Sequence, residues 1–364
     1  MLVLRRLFCN WEESDMVEWK KLGDLCNITT GRLNANQKDE NGIYPFFTCD
    51  ETPYKINKYA FDTEAILLSG NGSQVGHLNY YKGKFNAYQR TYVLDDFKGI
   101  LLFYLFHYLK CTIRPYIMKS AKKGAVPYIT LPMLTEFEIP IPSKSEQERI
   151  VSILDTFTSS ISNLKEQIKE RRKQYEYYRD QLLDLEGKDG VEMKTLPQIS
   201  KNLDRKRKAI TSTKRVAGLY PYYGASGIVD YVESYIFDGN YLLISEDGAN
   251  LIARTTPIAF SIKGKNWVNN HAHVLEFDNL ITQKYVEIYL NHIDLSFWIN
   301  GAAQPKLNQE NLNKIEFPLP SKQEQLRIVT ILDQFEASIA NLEAQLKERE
   351  KQYEYYRNQL LTFE

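Results

Sequence analysis

No segment of this chain is apolar for long enough to cross a bilayer, since the longest run, Ile100 to Leu109, covers about half a span. The N-terminus opens Met-Leu-Val-Leu, but Arg5 and Arg6 interrupt it at once, so no secretory core is present. Net charge is zero, with 46 basic and 46 acidic residues. That excludes nucleic-acid binding through gross positive charge and leaves only local basic surfaces. Cysteine is scarce: Cys9, Cys26, Cys49 and Cys111 occur without a CxxC pair or a neighbouring histidine, so neither a disulfide framework nor a zinc site is indicated and a cytoplasmic protein is expected. Hydrophobic content of 43% and charged content of 25% leave ordinary globular domains, two or three of them at 364 residues.

Catalytic motifs are absent as well. None of the Gly-Lys pairs at 83, 187 and 264 completes a P-loop, and neither an amino-methyltransferase tetrapeptide of the Asp- or Asn-Pro-Pro-Tyr kind nor a nuclease carboxylate-lysine cluster is present. The glycine-rich run Ser69 to Gly76 lacks the following helix of a dinucleotide-binding unit, because His77-Leu-Asn-Tyr-Tyr81 reads as a strand. His271-Ala-His273 puts two imidazoles on one strand face, a spacing open to a metal or to structural hydrogen bonding. Its counterpart Arg90-Thr-Tyr92 offers no metal ligand, and no third ligand stands nearby.

What the chain does have is a repeat. Residues 139–186 return 178 positions later as 317–364, identical at 32 of 48 positions, with Lys173 to Arg179 repeated unchanged as Lys351 to Arg357. So long a period implies duplication of a whole module rather than a solenoid. Within the first copy, Ile150, Leu154, Phe157, Ile161, Leu164, Ile168, Arg171, Tyr175, Tyr178, Leu182 and Leu185 fall in alternating steps of four and three, the seam of a coiled coil. The second copy matches with Ile328, Leu332, Phe335, Ile339, Leu342, Leu346, Arg349, Tyr353, Tyr356, Leu360 and Phe363. Both begin with a Ser-x-x-Glu capping box, Ser143 to Glu146 and Ser321 to Glu324, behind a Pro-x-Pro stop. About 42 helical residues make a rod of roughly 63 Å, and two rods in one chain can pair with each other. The seam arginines, Arg171 and Arg349, either fix register or lay their stems along the seam with the charge outside.

Before each helix lies a divergent segment, 17–138 and 187–316, with a shared skeleton: Val17 to Leu22 matches Val191 to Leu196, Tyr44 to Phe47 matches Tyr220 to Tyr223, and Phe85 to Leu94 echoes Trp267 to Leu275. Glu64 to Ser69 and Tyr241 to Ser245 read as strands and 281–299 as a helix, so each segment is expected to be a small α+β domain. Their loops carry recognition chemistry: Ser69, Asn71, Ser73 and Gln74; Lys122 and Lys123; Asp247 and Asn250; and the basic run Arg205, Lys206, Arg207 and Lys208. Amide side chains suit adenine edges, Arg and Lys suit guanine, and lysines hold phosphates. The basic run is equally open to being a solvated loop.

These features together resemble the specificity (S) subunits of type I restriction-modification systems. The resemblance rests on the Trp- or Met-Lys-x-Leu opening, the Tyr-Pro-x-Tyr strand, Glu246-Asp-Gly248, Asn269 to Leu275, the Pro-x-Pro-Ser-x-x-Glu-Gln-x-x-Ile helix entrance and the closing Tyr-x-x-Leu-Leu, and it spans nearly all of 17–364. It implies an α+β protein with two pseudo-twofold-related target-recognition domains, 17–138 and 187–316, separated by a long antiparallel coiled coil of helices 139–186 and 317–364. Each domain would read one half of a bipartite asymmetric site on double-stranded DNA. Arg90, His271 and Gln304 join the loop residues above as candidate contacts. The coil would set the spacer and dock two modification subunits, with Leu154, Phe157, Ile161, Leu164, Arg171, Tyr175 and Tyr178, and Leu332, Phe335, Ile339, Leu342, Arg349, Tyr353 and Tyr356, as the candidate residues for coil pairing and docking. No cofactor or metal and no catalytic residue is expected in this chain; S-adenosylmethionine, ATP and Mg2+ would belong to partner modification and restriction (R) subunits, and no membrane is involved. A coiled-coil interaction protein whose globes bind protein or glycan is the competing reading.

Residues 1–16 precede the matching region, and Met16 could itself serve as an initiator. Deleting 1–15 is therefore expected to leave methylation by the assembled enzyme intact, read as protection of its target sites; complete loss would refute this.

Overall fold

The computed structural model describes residues 17–120, 127–301 and 304–363. Two compact units emerge: one runs to Lys165 and takes in the chain from Ala344 onward, and the other comprises Glu166–Glu343. Both long helices are therefore divided between the units, so the first unit is built from two separate stretches of sequence and the second from one.

The first unit is built on a six-stranded sheet of β2 (Asn27–Thr30), β3 (Tyr44–Phe47), β4 (Tyr54–Ile56), β5 (Phe61–Ser69), β6 (Leu78–Ala87) and β7 (Thr91–Asp95), in the order β2-β7-β5-β6-β3-β4. All neighbours are antiparallel except the β3–β6 pair. Alternation along β5 sends Ile66 and Leu68 to one face and Ala65 and Leu67 to the other, and both faces are buried. Ile66 and Leu68 pack against helix α1 (Leu102–Ser120), which holds all but the first two residues of the apolar run noted above and carries Pro115 within it. A separate ribbon pairs β1 (Glu18–Lys21) with β8 (Glu138–Ile141), setting Trp19 opposite Pro140. The Trp-Lys-x-Leu and Pro-x-Pro motifs thus meet as one structure, with Leu22 wholly buried beneath it. The chain then enters helix α2 (Lys144–Leu183).

The second unit repeats the plan. Its sheet runs β10 (Lys201–Asn202), β15 (Ala272–Glu276), β13 (Phe237–Ser245), β14 (Ala259–Val268), β11 (Ala217–Gly224) and β12 (Gly227–Val232), again with one parallel pair, β11–β14. Its ribbon pairs β9 (Glu192–Thr195) with β16 (Glu316–Leu319), placing Met193 opposite Pro318. Helix α3 (Leu280–His292) takes the place of α1, and α4 (Lys322–Leu360) closes the chain. The helix expected over 281–299 ends at His292 because Arg254 hydrogen-bonds the carbonyls of Leu290 and Ile293 and Asp294 turns the chain by accepting from the Ser296 N–H.

Only half of each expected capping box forms. Ser143 and Ser321 accept from the Glu146 and Glu324 N–H groups, but those glutamates turn to Arg149 and Arg327 one turn on. The entrance is fixed instead by a buried glutamine. Gln147 donates to Pro142 O and accepts from the Leu101 N–H, while Gln325 donates to Pro320 O and accepts from Thr282. Tyr104 and Tyr285 hydroxyls donate to Pro140 O and Pro318 O. Each helix is thus pinned to the start of α1 or α3.

The helices pair antiparallel within each unit. In the first, Phe157 stacks on Tyr356 at 5.4 Å and meets Tyr353, with the Arg349 guanidinium 5.6 Å over its ring. In the second, Phe335 stacks on Tyr178 at 5.4 Å beneath Arg171. The seam arginines therefore hold register by lying on the partner helix's phenylalanine, a cation–π contact. The seam is not uniform along its length. Ile150 and Leu154 sink into the first unit's core beside Leu360 and Leu361, as Ile328 and Leu332 do into the second beside Leu183 and Leu185. Ile161, Leu164, Ile339 and Leu342 in the middle are only half-buried, as a two-helix coil leaves them.

Replacing Gln325 by Ala would strand the Thr282 hydroxyl and the Pro320 carbonyl in the core, where each unsatisfied group costs about 1–3 kcal/mol. Q325A is accordingly expected to lose about 2 kcal/mol in urea unfolding, against less than about 0.5 kcal/mol for an exposed change such as Q359A.

Candidate nucleic-acid interface

Four loops of the first unit gather at the C-terminal end of β5. Gly70 N–H donates to Arg90 O, and Ile129 N–H donates to Gly70 O. Asn71 forms a backbone bridge with Tyr128, and the Gln89 amide donates to Asn34. Gly76, at φ +84°, lets the loop rest on α1, because a Cβ there would stand 3.1 Å from Arg114 Cβ. The structure brings together Asn71, Ser73, Gln74 and Arg90, and adds Asn34, Gln89 and the exposed Tyr128, which the sequence did not single out. Ser69 does not belong with them. It is 2% exposed as the last residue of β5, where the sequence also ended the strand, so the expectation of a DNA contact there is corrected: its side chain is buried at the strand end and does not join the loop that follows. Lys122 and Lys123 lie outside the described residues.

The second unit builds the same frame with other side chains. Glu246 N–H donates to His271 O, Leu307 N–H donates to Glu246 O, and Asp247 bridges Lys306 as Asn71 bridges Tyr128. His271, the counterpart of Arg90, is hydrogen-bonded to the Asp247 carboxylate at 2.9 Å. Arg205, Lys206, Lys208 and Gln304 are exposed. Asn250 is not available to a base, since its amide donates to Thr256 O and its oxygen accepts from Thr255 and the Thr256 N–H. That correction reflects an Asx-type closure of the loop.

Arg207 is a further correction. Its side chain is 13% exposed and turned inward, donating to Glu246 at 2.6 Å, to Ala272 O at 2.8 Å, and lying 3.3 Å from Asp204. His273, wholly buried, holds Asp204 through Nδ1 at 2.6 Å and Leu307 O through Nε2 at 2.8 Å. Lys306 reaches Glu246 at 3.2 Å. Burial alone would raise the Asp204 carboxyl, but hydrogen bonds from His273 and the Val274 N–H, with the Arg207 charge, hold it below its ordinary value. Glu246 is likewise pushed up by burial and brought down further by Arg207, His273 and Lys306. Asp204, Glu246 and His273 stand close enough to share a cation. Arg207 already sits among them and balances the carboxylates, so the group is an ion network. The two histidines consequently serve different carboxylates. In the first unit Tyr92 fills the position of His273 and donates to Ile129 O, the residue 178 places before Leu307. One backbone tether is thus made by a phenol in one unit and by an imidazole within a charge network in the other.

Duplicated α+β units of this topology, tied to an antiparallel pair of long helices, define the fold class of type I S subunits. The crystal structure of the S subunit from M. genitalium superposes with a TM-score of 0.69 over 98% of both chains at 18% identity. The chain belongs to the family described as type I restriction modification DNA specificity domain, whose model matches residues 15–171 and 188–351. It is 41% identical over 156 residues to the EcoDI type I restriction enzyme specificity subunit of Escherichia coli, an alignment covering 42% of this chain and 34% of that one. The specificity subunit of the E. coli EcoprrI enzyme is 28% identical over 362 residues, 88% of each chain. The chain thus spans about a third of the first relative's length and most of the second's. No described helix is long and apolar enough to cross a membrane.

Removing Arg207 leaves Asp204 with only His273 and Glu246 with Lys306 and the more distant His273, whereas Arg205 faces solvent. R207A is expected to destabilise the protein by about 3 kcal/mol and R205A by less than about 0.5 kcal/mol, measured by urea unfolding at pH 7. Because Asp204 and Glu246 are held below their ordinary values, the stability they contribute is fully present above the carboxylate range. It is lost as pH falls through the depressed values, so the R207A deficit is expected to shrink as the unfolding buffer is acidified below the ordinary carboxylate range.

Proposed function

We propose that this chain is the DNA sequence-specificity subunit of a type I restriction-modification enzyme and itself carries no catalytic residue. The observation that carries this reading is the pairing of one backbone frame with two sets of side chains: Asn71, Arg90 and Tyr128 in one unit stand where Asp247, His271 and Lys306 stand in the other. A duplicated scaffold that varies only its presented donors and acceptors suits the reading of two different half-sites. Asn71 and Gln74 offer the amide geometry for adenine, Arg90 the fork for guanine, and Lys206 and Lys208 point charges for phosphate.

On this reading each unit reads one half of a split asymmetric site, and the paired helices set the unspecified spacer. The same helices present repeated surfaces, with Tyr177 and Tyr355 both 61% exposed at equivalent positions, to two modification subunits. Those subunits would supply S-adenosylmethionine-dependent N6-adenine methylation, and R subunits ATP- and Mg2+-dependent translocation and cleavage in the cytoplasm. With no net charge on this chain, much of the phosphate contact falls to the modification subunits.

Methylated adenines mapped in cells carrying this chain and its partner subunits are expected to lie in a two-part motif with an unspecified spacer. Exchanging 17–138 for the same region of another family member is expected to change one half only. A continuous palindrome, or a change in both halves, would overturn the reading.

A further inference from the structure

The apolar seam scarcely tells one long helix from the other, differing only where Ile168 becomes Leu346 and Leu185 becomes Phe363. Leu154, Phe157, Ile161, Leu164, Arg171, Tyr175 and Tyr178 of α2 recur unchanged as Leu332, Phe335, Ile339, Leu342, Arg349, Tyr353 and Tyr356 of α4. An α2 helix could therefore pack against α2 of a second copy with nearly the same knobs and holes that it uses against α4. Discrimination has to come from the 16 positions at which the 48-residue repeats differ.

Charge reverses sign at two of them: Lys165 corresponds to Glu343, and Arg172 to Glu350. In the fold these four residues form the cross-helix ion pairs, Lys165 with Glu350 at 3.2 Å in the first unit and Arg172 with Glu343 at 2.5 Å in the second. Both pairs join the same two repeat positions, so α2 is basic at both and α4 acidic at both. Were α2 to meet α2 of another copy in this register, Lys165 would face Arg172; in an α4 pair, Glu343 would face Glu350. Every same-helix pairing is repulsive and the in-chain pairing attractive at both points.

We propose that Lys165, Arg172, Glu343 and Glu350 form a charge code that directs each long helix to its counterpart in the same chain and rejects the equivalent helix of a second copy. Exposed ion pairs add little to stability individually, but attraction set against repulsion at flanking positions governs which coiled-coil helices associate. Where the proposed DNA reading also holds, the code keeps two different readers in one molecule, because same-helix assembly would bring together two identical ones.

The test uses the full-length chain and needs no DNA, so it stands or falls separately from the DNA reading. In K165E/E343K, the in-chain pairs become like-charged and the same-helix pairs between copies become opposite-charged, with net charge unchanged. Two differently tagged copies are co-expressed and one tag is purified. The variant is expected to carry over at least about tenfold more of the other copy than the starting protein does, with a doubled mass in sedimentation, and the excess is expected to shrink at 1 M salt. The fourfold reversal K165E/R172E/E343K/E350R, which restores in-chain attraction, is expected to return to the starting behaviour. Equal carry-over for K165E/E343K and the starting protein would overturn the proposal. So would failure of the fourfold variant to recover the behaviour of the starting protein, whether through continued association or through misfolding.

Discussion

The antiparallel packing of the two long helices is the contact on which the rest of this molecule depends. Each compact unit closes its core with residues from both helices: Ile150, Leu154, Leu360 and Leu361 in one, Ile328, Leu332, Leu183 and Leu185 in the other. A helix that slipped by a heptad would carry these residues out of the cores it completes. Register is held by Phe157, set against Tyr353 and Tyr356, and by Phe335, set against Tyr178, each covered by an arginine. Burying a side chain of that size stabilises by roughly 1.5–3 kcal/mol, far more than an exposed ion pair. Aromatic packing therefore supplies the strength, and charge supplies the choice between near-identical helices.

The same division recurs in the globular parts. Strand order, the single parallel pair and the ribbon that joins the opening motif to the Pro-x-Pro motif are common to both units, and all rest on buried apolar alternation. The loops at the end of the central strand keep their backbone tethers and change their side chains. Where the first unit needs only the Tyr92 phenol, the second uses His273, whose two ring nitrogens require two partners. That requirement draws Asp204, Arg207 and Glu246 into one network. A single exchange at a buried position thus propagates into the composition of a whole loop cluster.

Much of this was legible because it is local. Steps of four and three mark a helix and its seam, and Pro-x-Pro marks a boundary; β5 and β13 announce themselves by composition, and self-comparison exposes the duplication. The candidate contacts were legible only in part. Asn71 and Arg90 come together in one loop cluster, whereas Ser69, Arg207 and Asn250 proved to be a strand end, an interior counter-ion and a loop clasp. Such residues have the right chemistry but the wrong direction. Direction depends on partners distant in the chain, such as Glu246 for Arg207. The buried Gln147 and Gln325 were missed for the same reason, although each stands in the repeated helix entrance.

The amino-acid sequence alone determined the duplication, the helix periodicity, the two divergent α+β segments and the family resemblance. Those are patterns of neighbouring residues, or of the chain compared with itself. Tertiary structure decided which loop residues face outward, that the paired histidines serve separate carboxylates, and that Lys165 and Arg172 lie opposite Glu350 and Glu343. Each of those outcomes depends on two or more segments far apart in sequence arriving at one place, and no local preference encodes that arrival.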